Sequence, residues 1–390
     1  YMLNVLWREV AGIAELDETL GSLSALADQM LAAAGRYAEA RLEERYGRFR
    51  DKGGEIVPLV VLAMGKLGGG ELNFSSDIDI VFLYPADGES DGARKLSGQQ
   101  YFTRLSQIIV GLLDDRTADG FVFRVDTRLR PFGDSGPPVT SFAALESYLL
   151  QHGRDWERYA YIKARIVGQP PAPAVSRDLF EHLVTPFVYR RYLDYGVFES
   201  LRDMHELIAA EVKRRDLADN IKLGPGGIRE IEFIVQSMQL VRGGYREELR
   251  ESSLLRVLPK LAGGRGLDHS TITRLRDAYV FLRRLENFIQ AMRDQQVHDL
   301  PRDETDRERL CVAMGYADWP SLVRDLDGHR HGVTSEFEAI AFRGGETEAQ
   351  DEREQRFQAL WNSDASAEEW AKELSELKNA VALAESLAAF

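Results

Sequence analysis

The spacing of apolar and polar positions changes character three times along the chain. Residues 1–50 repeat apolar side chains at helical intervals, most clearly in LSALADQMLAAAGRYAEARLEERYGRF, and read as helices that end at Gly53 and Gly54 of DKGGE. The pattern then shortens. VPLVVLAMG is a β-branched run closed by glycine, and IDIVFLY is a second such run after a glycine-rich turn; both read as buried strands. YFTRLSQIIVGLLDD has the spacing of an amphipathic helix, GFVFRVDTRLR alternates as a third strand, PFGDSGPP is a loop, and WERYAYIKARIVG comes after it.

From about Pro171 the pattern is helical, with long segments predicted at 185–215 and 270–296. In the latter, Leu275, Ala278, Tyr279, Leu282, Leu285, Ile289 and Met292 form one stripe, which reads as bundle core. The order predicts an α+β chain. A small mixed sheet with helices occupies 57–170, N-terminal helices occupy 1–56, a larger helical bundle 171–342, and an acidic helical linker or the start of a further domain 343–390.

Composition narrows the function classes. The 390 residues are 44% hydrophobic, enough for two to three domains at roughly 150 residues each. A net charge of −14 argues against non-specific nucleic-acid binding, which needs a broad basic surface. Cys311 is the single cysteine, so an intrachain disulfide is excluded, which suits a reducing cytoplasm. The longest apolar run, Val57 to Met64, contains Pro58 and falls far short of the ~20 residues of a membrane helix. The chain opens YMLNVLW without a leading methionine and reads as part of something longer. Its last 48 residues carry eleven acidic and five basic side chains, the pattern of a solvated helical face.

The candidate chemistry lies in GKLGGGELNFSSDIDIVFLYP, residues 65–85. On a strand, Asp77 and Asp79 share a face, about 7 Å apart, and Ile78 and Ile80 take the other. Two ionised carboxylates side by side call for a cation. Asp126 in FRVDTRLR shares a face with Arg124, Arg128 and Arg130, and three carboxylates converge if the two strands pair. Hard oxygen ligands suit Mg2+ held jointly with substrate phosphates, and two such ions can serve an in-line phosphoryl displacement. The glycine-rich turn lets backbone N–H groups approach a phosphate, with Ser75 or Ser76 adding hydroxyl contacts. It is not a Walker A loop, because Lys66 stands at its front. Among the basic residues, Arg128, Arg130, Arg158, Lys163 and Arg165 are candidates for phosphate oxygens, Arg128 and Arg130 first. The seven histidines are scattered, and no triad, H-E-x-x-H or C-x-x-C is present.

The pattern Gly65 then Ser76-Asp77-Ile78-Asp79 with a later strand aspartate resembles the polymerase-β-type nucleotidyltransferase superfamily. More narrowly, MGKLGGGELNFSSDIDIVFLYP, VFRVDTRLRPFGDSGPPVTSFAALESYL, GRDWERYAYIKARIVG, DNIKLGPGGIREIEFIVQSMQL and AYVFLRRLENFIQ resemble the family of bifunctional glutamine synthetase adenylyltransferase/adenylyl-removing enzymes. The blocks span about residues 60–296 in the right order. That family carries two related halves, one attaching AMP to a tyrosine of glutamine synthetase and one removing it by phosphorolysis to release ADP.

NFSSDID resembles the N-terminal, adenylyl-removing half, the other half having a GSDLD form. The resemblance implies Asp77, Asp79 and Asp126 as carboxylates that bind Mg2+ and carry the reaction. It implies Gly65, Ser75 and Ser76 as the nucleotide-binding loop; Lys66, Arg128 and Arg130 fit phosphate contacts by position and charge. It further implies glutamine synthetase as protein substrate, inorganic phosphate and ADP as small-molecule partners, stimulation by uridylylated PII signal protein, and a covalently linked second half. Attachment of AMP from ATP is the alternative chemistry, and a non-catalytic PII-binding module the alternative class. The block Gly226, Gly227, Arg229, Glu230 and Glu232 either faces the site or braces the helical domain.

Overall fold

The computed structural model describes residues 1–190, 217, 219–263 and 266–342. The chain divides into two units, Tyr1–Thr334 and Ser335–Phe390, and every residue of the candidate site lies in the first. The helical segment anticipated at 185–215 falls largely outside the described residues, and the acidic tail at 343–390 wholly so.

Two helices open the chain, α1 (Met2–Val10) and α2 (Leu16–Tyr46). The second stops earlier than the glycines at 53 and 54 suggest. Gly47 ends it with φ +72, and a Cβ there would stand 2.1 Å from Asp91 Oδ1, so only glycine turns the chain there. The chain then enters strand β1 (Phe49–Asp51), paired antiparallel with β4 (Gly88–Ser90).

The main sheet is built around β3 (Ile78–Tyr84). On one edge, β2 (Val60–Ala63) pairs antiparallel with it, and β7 (Arg165–Val167) pairs antiparallel with β2. On the other edge, two short strands succeed one another, both parallel to β3: β5 (Val125–Asp126) beside its start and β6 (Val139–Ser141) beside its end. Alternation then sorts the side chains. Val61, Ala63, Ile78, Ile80 and Phe82 join the core under α2 and α4 (Gly98–Asp114), with Leu31, Ala38, Phe102, Leu105 and Ile109. Val60, Leu62, Val81 and Leu83 face the opposite core, formed with α5 (Phe142–Gln151), α6 (Asp155–Tyr161) and Leu179 to Val188. The sheet is therefore covered on both faces, as its near-continuous apolar runs require.

The anticipated third strand over GFVFRVDTRLR is reduced to Val125 and Asp126. Asp126 ends it: its Oδ1 accepts from the Arg128 backbone N–H at 2.8 Å, and Thr127 O accepts from Arg130 N, so the chain turns away after two paired residues.

Beyond the sheet the first unit is helical: α7 (Ile228–Arg242), α8 (His269–Arg293), α9 (Glu304–Met314) and α10, whose helix runs Trp319–Phe342. The stripe on α8 is core as its spacing predicts, with Leu275, Ala278, Tyr279, Leu282, Leu285 and Ile289 buried, while Met292 is half-buried. A second stripe on the same helix is the less expected one. Arg283, Glu286, Asn287 and Gln290, at i, i+3, i+4 and i+7, are all fully buried; Arg283, Glu286 and Gln290 face the loop between β2 and β3, and Asn287 donates to Glu9 of α1 at 3.2 Å. No helix among the described residues is long and apolar enough to cross a membrane.

Candidate active site

Strand β2 delivers the chain to Met64, whose N–H donates to Asp79 O at 2.8 Å, and the next residue turns sharply. Gly65 has φ +52, and a Cβ on it would lie 2.6 Å from Asp79 Oδ2. The glycine is required on two counts, its backbone conformation and the carboxylate packed against it. Residues 65–69 form one helical turn, α3, and Gly70 (φ +70) leads out of it towards the aspartates.

Asp79 lies on β3 in direct register with Asp126 on β5, while Ile78 pairs Val125. It belongs to the Val81–Leu83 face of the strand but sits at its open end, where that core gives out. Asp77 stands just before the strand. The two strands that the sequence singles out thus pair, and the three carboxylates are neighbours. Burial, followed by the charges of Asp126 and Asp77, pushes the Asp79 carboxyl up to about 6. Its carboxylate has no hydrogen-bond or ion-pair partner among the described residues.

Each of the other two carboxylates is held by a guanidinium. Arg124 Nε meets Asp77 Oδ1 at 2.5 Å, and its Nη2 donates to Ser75 O and Oγ at 2.8 and 3.2 Å. Arg128 binds Asp126 through its backbone N–H, Nε and Nη2, and those hydrogen bonds hold the Asp126 carboxyl below its ordinary range. With Asp77 and Asp126 turned to arginines, no group of three or more acidic, histidine or cysteine side chains among the described residues is gathered around one point. The donor set still fits a hard divalent cation. Asp79 is an unpartnered carboxylate pressed by two others, and a cation relieves that repulsion.

The remaining predicted residues take different positions around this centre. Ser75 is buried; besides Arg124, it engages α8 through its N–H, which donates to Gln290 Oε1 at 3.2 Å. Ser76 Oγ accepts from Asn73 N at 3.3 Å. Lys66 turns away from the aspartates to Glu286, with Nζ to Oε1 at 2.8 Å. Its burial lowers the ammonium to about 8, with Glu286 opposing that shift. Arg128 is largely exposed, but Arg130 is tied into the turn by Thr127 O and Oγ1 at 2.9 and 2.8 Å.

Three of the basic residues proposed for phosphate are structural instead. Arg158 is buried against Asp155 and Val188 O, Lys163 lies between Glu71 and Glu232 at 2.9 and 2.8 Å, and Arg165 forks onto Asp28. Arg158 and Lys163 lie inside the packing and Arg165 is half-buried, and in each case acidic groups and carbonyls claim the donors.

Sequence reasoning missed the bracing behind this loop. Arg283 on α8 donates to Glu71 O at 2.6 Å and to Asn73 Oδ1, and its Nε lies 3.1 Å from Glu286 Oε2. Glu286 also meets His298 Nδ1 at 2.9 Å, and the next backbone carbonyl link runs from His298 O to Ile221 N at 2.9 Å. The polar positions of α8 recur at helical spacing and were the available signal.

The block at 226–232 is mostly bracing too. Gly226 has φ +67 against the Arg330 backbone, Glu230 Oε2 accepts from Gly226 N at 3.1 Å, and Glu232 pairs Lys163. The exception is Lys222, just ahead of it, whose charge reaches Asp79.

Comparison with known proteins places these features. Residues 1–178 match the family model GlnE, glutamate-ammonia ligase adenylyltransferase, and residues 202–341 match the model GlnD PII-uridylyltransferase. The chain is 48% identical over 373 residues to the bifunctional glutamine synthetase adenylyltransferase/adenylyl-removing enzyme of Thioalkalivibrio sulfidiphilus. That alignment takes in 94% of this chain and spans 38% of the relative's length. Glycine turn, paired aspartate strands and the match over residues 1–178 agree: over that stretch the chain is similar to the glutamate-ammonia ligase adenylyltransferase family, and its fold is a nucleotidyltransferase-type α+β fold.

Proposed function

We propose that this chain removes AMP from the adenylyl-tyrosine of glutamine synthetase by phosphorolysis. The observation that carries the reading is the register of Asp79 with Asp126, with Gly65 making room for the Asp79 carboxylate. The direction, removal rather than attachment, rests on NFSSDID ahead of the strand.

An oxygen of inorganic phosphate attacks the α-phosphorus. A new P–O–P bond forms, the P–O bond to tyrosine breaks with its electron pair, and the phenolate takes a proton from solvent. The products are ADP and unmodified tyrosine. A phenol of pKa ~10 is a moderate leaving group, so charge stabilisation at the phosphorus is the main demand. Asp77, Asp79 and Asp126 would hold Mg2+, which supplies positive charge against the α-phosphate. Arg128 then exchanges Asp126 for substrate oxygens; being exposed, it moves at small cost. Arg124 keeps Asp77 and the Ser75 backbone in place before substrate binds. The relative's name supports glutamine synthetase as the protein substrate, and the PII-uridylyltransferase match over 202–341 supports a link to PII signal protein; the uridylylated form of PII and a cytoplasmic setting are part of the same proposal.

Attachment is the competing reading, since the relative carries both activities in its name. Incubation with unmodified glutamine synthetase and labelled ATP separates them: label on the synthetase means attachment, and its absence agrees with removal.

A further inference from the structure

Two lysines act on Asp79 through space, Lys222 and Lys66. Lys66 is spoken for by Glu286. Around the same centre Arg124 is bound to Asp77 and Arg128 to Asp126. The Lys222 ammonium, half-buried, has neither a hydrogen bond nor an ion pair among the described residues.

The loop that carries it has little freedom. Asn220 Oδ1 accepts from the N–H groups of Lys222 and Leu223 at 3.1 and 2.8 Å, and Lys222 O accepts from Arg229 N at 3.1 Å. Ile221 N is fixed to His298 O, and His298 is joined through Glu286 to Lys66, the neighbour of Gly65. The loop is thereby tied to the turn that faces Asp79. Gly226 closes it, its Cα packed so near Arg330 that a Cβ would meet the backbone at 2.2 Å.

A half-buried ammonium on a loop fixed by its own backbone hydrogen bonds, near Asp79 and Glu232 but in contact with neither, keeps its donors open to an anion. An anion entering a site lined by three carboxylates needs a local positive charge to do so. Phosphate oxygens match a compact, multi-donor ammonium. In phosphorolysis the attacking phosphate becomes the β-phosphate of ADP, so one subsite serves both.

We propose that Lys222 binds the attacking phosphate, the group that becomes the β-phosphate of ADP, and so marks a β-phosphate subsite contributed by the loop ahead of α7. This assignment rests on the phosphorolytic reading of the centre. The test is titration calorimetry of ADP and of AMP, with Mg2+, on the whole chain, on Lys222→Met and on Lys222→Arg, with thermal melts of each. The expected result is that Lys222→Met weakens ADP at least tenfold, leaves AMP within twofold and melts with wild type, while Lys222→Arg recovers part of the ADP affinity. A Lys222→Met variant that keeps the wild-type preference for ADP over AMP, or loses both nucleotides equally, overturns the assignment alone. A wild-type chain that binds neither nucleotide overturns the reading of the centre, and the assignment with it.

Discussion

A Cβ on Gly65 would stand 2.6 Å from Oδ2 of Asp79, the carboxylate at the meeting point of β3 and β5. Gly65→Ala must therefore displace that carboxylate or the turn, and the alanine also inherits φ +52. Displacement on the order of 1 Å at a reacting centre costs about 100-fold in rate. The expected outcome is a loss of that size in turnover, with destabilisation of only about 1 kcal/mol by chemical denaturation.

Asp79→Asn should abolish activity and stabilise the fold. A carboxyl raised to about 6 binds its proton more tightly folded than unfolded, so it favours the folded state below its ordinary range near 4 and loses that contribution as pH rises through 6. At pH 7.5 the ionised group is then a net cost that asparagine removes. In EDTA, Asp79→Asn should melt about 2–4 °C above wild type at pH 7.5 and level with it at pH 4.

The Lys163–Glu232 pair predicts acid sensitivity of the opposite sign. Burial alone would raise Glu232, but the charge and hydrogen bond of Lys163 overcome it and hold the carboxyl at about 2. A depressed acid stabilises the fold above its ordinary value near 4.5, and that contribution is lost as pH falls from 4.5 towards 2. Melting scans should therefore show Glu232→Gln losing less stability than wild type across that window. Lys163→Met, which leaves Glu71 and Glu232 facing each other unpaired, should cost about 3–5 kcal/mol at pH 7.

Arg283 ties α8 to the loop through Glu71 O and Asn73 and pairs Glu286, all fully or nearly fully buried. Arg283→Met leaves that carbonyl and amide oxygen without this donor and removes one of the cations paired with Glu286, which keeps Lys66. A loss of about 3–5 kcal/mol in urea unfolding is expected, the range for breaking a buried ion pair from one side.

Much of this was legible in the sequence, for identifiable reasons. β3 over Ile78–Tyr84 was legible because the apolar run Ile80–Tyr84 comes directly after the alternating Asp77-Ile78-Asp79, and the α8 stripe because seven positions keep one helical period. The convergence of Asp79 and Asp126 was legible as a condition, namely strand pairing, which the register fulfils. The partners of the basic residues were not. Lys163, Arg158 and Arg165 lie in the same charged stretch as Arg128, and only the packing decides that Glu71, Asp155 and Asp28 claim them. The extent of β5 was equally hidden, because alternation continues past Asp126 while its side chain turns the backbone. Lys222 and Lys66 show the same limit: a tertiary link through Glu286 leaves one lysine occupied and the other unpartnered.

The central claim is the direction of the chemistry at the three aspartates. Its most direct measurement supplies radiolabelled inorganic phosphate, Mg2+ and adenylylated glutamine synthetase to the chain and tracks the label. The account predicts label in the β-position of ADP, one unmodified tyrosine per ADP formed, and neither product with Asp77→Asn or Asp79→Asn. Absence of labelled ADP from the wild-type chain, together with transfer of AMP from ATP onto unmodified synthetase, would contradict it.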